Sequence, residues 1–171
     1  MNVTQLLARR RVALGFVAAV ATLVLAHPTW AAWCAGLFVA LAGEGLRVWA
    51  AGHLEKGREV TRSGPYRWTR HPLYAGSTIM ALGIVIASRS PIVAALVFLY
   101  MTATLTAAIR TEEAFLRTAF GDAYDRYRGS HAESMRRRFS IARVRSNREY
   151  RTAAGLAAGF ALLALKVVAS L

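Results

Sequence analysis

Residues Ser63 to Gly76 read SGPYRWTRHPLYAG and lie directly between two long apolar segments. A connector between membrane helices needs only polarity and a turn. This one holds two prolines, two arginines, a histidine, two tyrosines and two glycines. Ser63-Gly64-Pro65-Tyr66 reads as a turn, because proline fixes φ and glycine permits a tight backbone. Pro72 suits the first turn of a helix, where its missing N–H costs nothing. Arg70 and His71 then stand just before a helix N-terminus, where free N–H groups and the helix dipole favour an anion. Tyr74 and Gly76 follow, so a ring and a bare stretch of backbone are expected to face the same region. A plain turn with snorkelling arginines would explain Pro72 and the arginines, but not His71, Tyr74 and Gly76 together.

Working outward, the 171 residues suit one domain, taken as 1–171. Hydrophobic residues make up 56% and charged ones 18%, against roughly 45–50% and about 25% in a soluble domain. The excess is gathered in runs, which points to membrane spans. Five are expected, at about 12–26, 29–51, 72–87, 91–109 and 152–171, giving an all-α, polytopic membrane protein. The first resembles a signal peptide in its Arg9-Arg10-Arg11 and apolar run, but no small-residue cleavage pattern follows, so a retained helix is expected. Lys166 lies near the end of the last run and is expected to snorkel. Gly155 and Gly159 in the same run permit close helix packing, within the chain or between chains.

The net charge of +13 follows the membrane. Nineteen of the twenty-two basic residues fall in the N-terminal arm, in 52–70 and in 110–151, all on one side if five spans alternate. That asymmetry predicts a multi-pass cell-membrane protein with a cytoplasmic N-terminus and an external C-terminus. Arg136-Arg137-Arg138 with Arg143, Arg145 and Arg148 reads as a topogenic stretch that meets lipid headgroups. No aromatic interleaving accompanies the charge, so no nucleic-acid partner is expected. Cys34 is the single cysteine, which excludes a disulfide framework, and no metal site is expected. Neither strand alternation nor a glycine-rich strand-to-helix turn occurs, which excludes a soluble Rossmann-type cofactor domain.

Two further groups carry possible chemistry. Glu44 and Arg47 are three apart within the second apolar segment, where ionisable groups are costly. They read either as a self-satisfied pair or as a pair of which one member reaches a site, and His53 and Glu55 fit either reading. Glu112-Glu113 opens TEEAFLRTAFGDAYDRYR, whose apolar residues recur every four positions, predicting an amphipathic cytoplasmic interfacial helix at about 111–128. If the third and fourth spans form a hairpin, these carboxylates return to the Arg70/His71 turn. Cation and anion binders would then face each other in one interfacial pocket, suited to a zwitterionic or mixed-charge small ligand.

These pieces together resemble the isoprenylcysteine carboxyl methyltransferase family, within the wider group of membrane methyltransferases that includes the phospholipid N-methyltransferases. The resemblance is carried by SGPYRWTRHPLYAG, by Leu82-Gly83, by RTEEAFLRTAFGDAYDRY and by LRVWAAGHL at Leu46–Leu54, and covers roughly Leu46–Tyr127. It implies S-adenosylmethionine as methyl donor and a lipophilic small-molecule or lipid acceptor, carboxylate or amine. By position it implies a cofactor pocket of Tyr66, Arg70, His71, Pro72, Leu73, Tyr74, Gly76, Glu112 and Glu113, with His71 and Glu113 as catalytic candidates. A phospholipid amine as acceptor, or a non-catalytic lipid-binding or scaffold protein of the same fold, are the alternatives. The chain departs from the family after Tyr127: in place of a Val-Pro-Arg type segment it continues RGSHAESMRRRFSIARVRSNREYR. That departure leaves the acceptor less defined than the donor.

Overall fold

A computed structural model describes residues 15–129 and 135–170. These form helices α1 (Gly15–Leu25), α2 (Trp30–His53), α3 (Pro72–Ser88), α4 (Pro91–Phe120), α5 (Asp122–Arg128), α6 (Ile141–Ser146) and α7 (Tyr150–Ala169), with a 3-10 turn at Gly64–Arg67. No strand occurs among the described residues. Helices α2, α4 and α7 are long and apolar enough to cross a membrane, and α1 and α3 are shorter apolar helices. The chain is an all-helical, polytopic membrane protein. Arg9–Arg11 and the start of the first apolar segment lie outside the described residues.

Local chemistry sets the helix starts. Thr29 caps α2 by accepting from the Ala32 N–H, and Ser90 caps α4 by accepting from Val93. Pro72 and Pro91 occupy first-turn positions, as expected for residues without an N–H to place. Trp30 and Trp49 are separated by about 28 Å at the helical rise. That spacing is close to the roughly 30 Å hydrocarbon thickness, with an indole near each boundary.

The helices associate by close backbone approach. Gly36 meets Gly83, and Gly43 meets Gly76, so α2 and α3 run antiparallel with both glycine pairs seven residues apart. A Cβ on Gly43 would lie 2.6 Å from Gly76 O, and one on Gly83 would lie 2.5 Å from Gly36 O. A seven-residue repeat keeps one seam in register along two nearly aligned helices. Lipid supplies no hydrophobic force between helices, so small residues that admit backbone contact do this work. Ala26, Ala40, Met80, Ala87, Leu156, Phe160 and Leu163 complete the core, and Trp33 donates its indole N–H to Phe160 O at 2.8 Å. The outer faces stay apolar: Phe38, Leu82, Phe98, Leu99 and Leu165 are exposed.

Three expectations change. The interfacial helix expected at 111–128 is two pieces, because α4 continues unbroken to Phe120. Nothing before Gly121 interrupts it, and there the backbone turns left-handed at φ 46°. At about 45 Å, α4 exceeds the bilayer core, so the part beyond Ile109 projects from it. Lys166 does not reach past its helix end but donates to Leu23 O and Val24 O at 2.6 and 2.8 Å, capping α1. Gly155 and Gly159 have no neighbour within 4 Å of an added Cβ, because the buried face of α7 is Leu156, Phe160, Leu163 and Val167. Among the described residues they pack against nothing.

Candidate functional site

The turn before α3 and the projecting end of α4 meet at one end of the bundle. His71 is the N-cap residue of α3, and its Nε2 donates to Glu113 Oε1 at 3.2 Å. Arg70 Nη1 reaches the same oxygen at 3.3 Å. Burial acts to raise the Glu113 carboxyl, but the His71 hydrogen bond and the Arg70 charge outweigh it and hold the group below the usual range. The Tyr74 ring lies 5.7 Å from that of His71. The cationic and anionic groups expected on opposite walls of a pocket are thus in direct contact.

Helix α5 folds back over this cluster. Tyr127 donates its hydroxyl to Tyr66 O at 2.8 Å, tying α5 to the 3-10 turn. Tyr124 is wholly buried beside Glu113, yet its hydroxyl makes no hydrogen bond of ordinary geometry. Burial raises the Tyr66, Tyr124 and Tyr127 phenols, Tyr127 to about 12, so all three stay neutral at physiological pH. The Glu112 charge raises Tyr66 further. Sequence reasoning put Tyr124 and Tyr127 in an apolar interfacial stripe. Their three-residue spacing is also what brings two phenols onto one face of a short helix, and that was the available signal.

Pro72, Leu73 and Gly76 are placed differently from the charged residues. Pro72 is buried in the first turn of α3. Gly76 turns toward α2, where a Cβ would lie 2.6 Å from Arg47 Cγ, so its bare backbone faces the helix seam. Leu73 O accepts from Arg47 Nη1 at 3.1 Å. Arg47 also donates to Ser77 Oγ, to Thr152 Oγ1 at 3.2 Å and to Glu149 Oε1 at 2.6 Å. Glu44 stands off at 4.0 Å, and neither of its buried oxygens has a hydrogen-bond partner among the described residues. Arg47 therefore is not self-satisfied within its own helix. It joins α2, the first turns of α3 and the start of α7, through a glutamate 102 residues away.

His53 and Glu55 belong to the same end but serve packing. His53 Nδ1 and Ser63 Oγ share a hydrogen bond of 3.1 Å beneath Gly64, whose left-handed φ of 57° forms the turn. Glu55 pairs with Arg143 at 3.6 Å. Among the described residues no group of side chains could hold a metal ion.

A family model described as phospholipid methyltransferase matches residues 30–123, from the start of α2 through the whole of α4 and so across Arg70, His71 and Glu113. The chain belongs to the phospholipid methyltransferase family. It is 34% identical over 119 residues to a cobalt-zinc-cadmium resistance protein, CzcN, of Cupriavidus metallidurans, covering 64% of this chain and 54% of that protein. It is 33% identical over 87 residues to a protein-S-isoprenylcysteine O-methyltransferase of Schizosaccharomyces pombe, covering 51% of this chain and 37% of that protein. The chain thus spans about half or less of the length of these relatives. No solved structure matches it.

Taken chemically, the cluster offers the Arg70 cation, the His71 imidazole, the Glu113 carboxylate with Glu112 next to it in sequence, and neutral phenols around one helix start. S-adenosylmethionine carries a carboxylate, an ammonium, hydroxyls and a sulfonium, so the donor set fits it, and the orphaned Tyr124 hydroxyl is a buried polar atom able to receive part of it. A zwitterion can exchange into both halves of an existing ion pair, which a simple anion or cation cannot.

Proposed function

We propose that this protein is an S-adenosylmethionine-dependent methyltransferase acting on a lipophilic acceptor at the membrane face that carries Arg70–Gly76. The observation that carries the reading is the contact of Glu113 with both Arg70 and His71 at the start of α3. In it, Arg70 and His71 hold the methionine carboxylate beside the helix N-terminus, and Glu113 or Glu112 holds the ammonium or the ribose hydroxyls. Tyr66 and Tyr74 present ring faces to adenine or to the sulfonium. Bound there, the cofactor supplies an electrophilic methyl group. The protein's part is positioning: α5 and the 3-10 turn exclude water, and the acceptor is held in line at attack distance. A carboxylate acceptor needs no base, whereas an amine gives its proton to His71 or Glu113.

The family name favours a phospholipid amine as acceptor, and the fission-yeast relative favours a prenylated cysteine carboxylate. Binding separates the enzyme reading from a lipid-binding scaffold of the same fold. Titration of the detergent-purified, folded protein with S-adenosylmethionine is expected to release heat with saturation below millimolar concentration. His71→Ala and Glu113→Gln are each expected to weaken it. No binding by folded wild-type protein at millimolar cofactor removes the proposal; where binding is seen, a search for lipids that gain a labelled methyl group identifies the acceptor.

A further inference from the structure

The basic segment between α5 and α7 divides its arginines into two sets. Arg137 and Arg143 turn inward. Arg137 pairs with Glu59 at 2.6 Å and also donates to His53 O, while Arg143 pairs with Glu55 and donates to Gly52 O at 2.7 Å. Asn147 Nδ2 adds bonds to Ala51 O and Leu54 O at 2.9 and 3.0 Å. Together they satisfy the carbonyls that the end of α2 leaves open and strap residues 136–148 across it. Arg136, Arg138, Arg145 and Arg148 turn outward, exposed and without an acidic partner among the described residues. Glu149 is the one acid between Met135 and Leu171, and it is buried against Arg47. The exposed face of the strap is therefore positive throughout. Beside these arginines stand Ile141 and Tyr150, with 64% and 57% of their surface exposed, while the Phe139 ring packs inward against Gly52 and His53. The strap joins the spanning helix α7 at Tyr150 and covers the end of the spanning helix α2, so it sits at the level of a membrane boundary.

We infer that this strap is a docking surface for anionic phospholipid headgroups of the bilayer in which the protein sits. The four outward arginines bind lipid phosphates and the apolar residues enter the adjoining acyl region. Charge complementarity alone would also suit RNA. The exposed apolar side chains interleaved with the arginines at the mouth of a spanning helix favour lipid. Arg137 and Arg143 contribute by fixing the strap, not by binding.

The test uses the purified full chain in phosphatidylcholine nanodiscs doped with phosphatidylglycerol, with retained lipids counted by native mass spectrometry. Wild-type protein is expected to retain phosphatidylglycerol over phosphatidylcholine. R136Q/R138Q/R145Q/R148Q is expected to lose that preference by at least tenfold, since one arginine near an anionic surface is worth about fivefold. Tryptophan-monitored melting in neutral detergent checks that the variants fold. Should the fourfold variant not fold, R145Q/R148Q, confined to the α6 side, is expected to lose several-fold. A folded variant with wild-type preference overturns the inference, as does a wild type without preference. Displacement of the lipid by a short single-stranded RNA or by inorganic phosphate at equal phosphate concentration also overturns it, assigning the strap to those ligands.

Discussion

Arg47 shows how far residue-level reading reaches. Its cost at membrane depth marks it as a residue with a partner, and the partner nearest in sequence is Glu44. The structure gives the main role to Glu149, because the start of α7 returns to the same level of the bundle. No pattern around residue 47 encodes that pairing; it arises from topology. Removing one member of a buried pair strands the other, at about 3–5 kcal/mol. Arg47→Met is therefore expected to lower stability by about that amount, with Glu149 and Glu44 both left buried, and Arg47→Met/Glu149→Leu is expected to recover part of it. Unfolding followed by tryptophan fluorescence measures both; equal loss in the single and double variants would mean that Glu149 is not the partner. Glu113 makes a second case. Its carboxyl is held below the ordinary 4.5, so its contribution to stability is fully present above that value and declines as pH falls through the lower, folded value. Wild-type stability is expected to fall in that acid window relative to Glu113→Gln, whose curve lacks this component.

Among the elements, the apolar runs were legible from composition and the start of α3 from Pro72. Which faces meet was not. Gly155 and Gly159, four residues apart, suggested the close crossing, yet Gly36, Gly43, Gly76 and Gly83 form it. Those glycines pair across two helices, and neither half of the pattern signals a seam until the two are aligned antiparallel. The distinction has measurable consequences. Gly43→Ala sets a Cβ against the backbone of Gly76 and Met80, which cannot move as a flexible side chain would. It is expected to cost about 1–3 kcal/mol. Gly155→Ala and Gly159→Ala meet open space and are expected to be neutral or stabilising by up to about 1 kcal/mol. Equal destabilisation at both pairs would instead place a partner helix on the α7 face. Extension of α4 past Ile109 was hidden for a related reason: the hydropathy stops there, but nothing in the backbone chemistry stops the helix before Gly121.

At the scale of the whole molecule, two ends can be told apart by their cross-contacts. At one end, Tyr127 meets Tyr66, Arg137 meets Glu59 and Arg143 meets Gly52, gathering the 54–71 connector, α5 and the strap together. At the other, the His27 N–H donates to Ser88 O and Lys166 caps α1, gathering 26–29, 88–91 and the end of α7. Among the described residues the first end carries nearly all the arginines, and the second has Arg89 and Lys166, of which Lys166 is held by α1 carbonyls. Basic residues flanking short spans are retained on the cytoplasmic side, so the end holding the candidate site is expected to face the cytoplasm and α7 to finish outside. Cys34 is exposed on the second helix and has to be removed before labelling. In a Cys34→Ala background, Ser170→Cys is expected to react with a membrane-impermeant maleimide applied to intact cells. Arg67→Cys is expected to react only after the membrane is opened. The reverse pattern would put the candidate site on the face away from a cytosolic supply of the proposed cofactor, and would count against the proposed methyl transfer as well as the orientation.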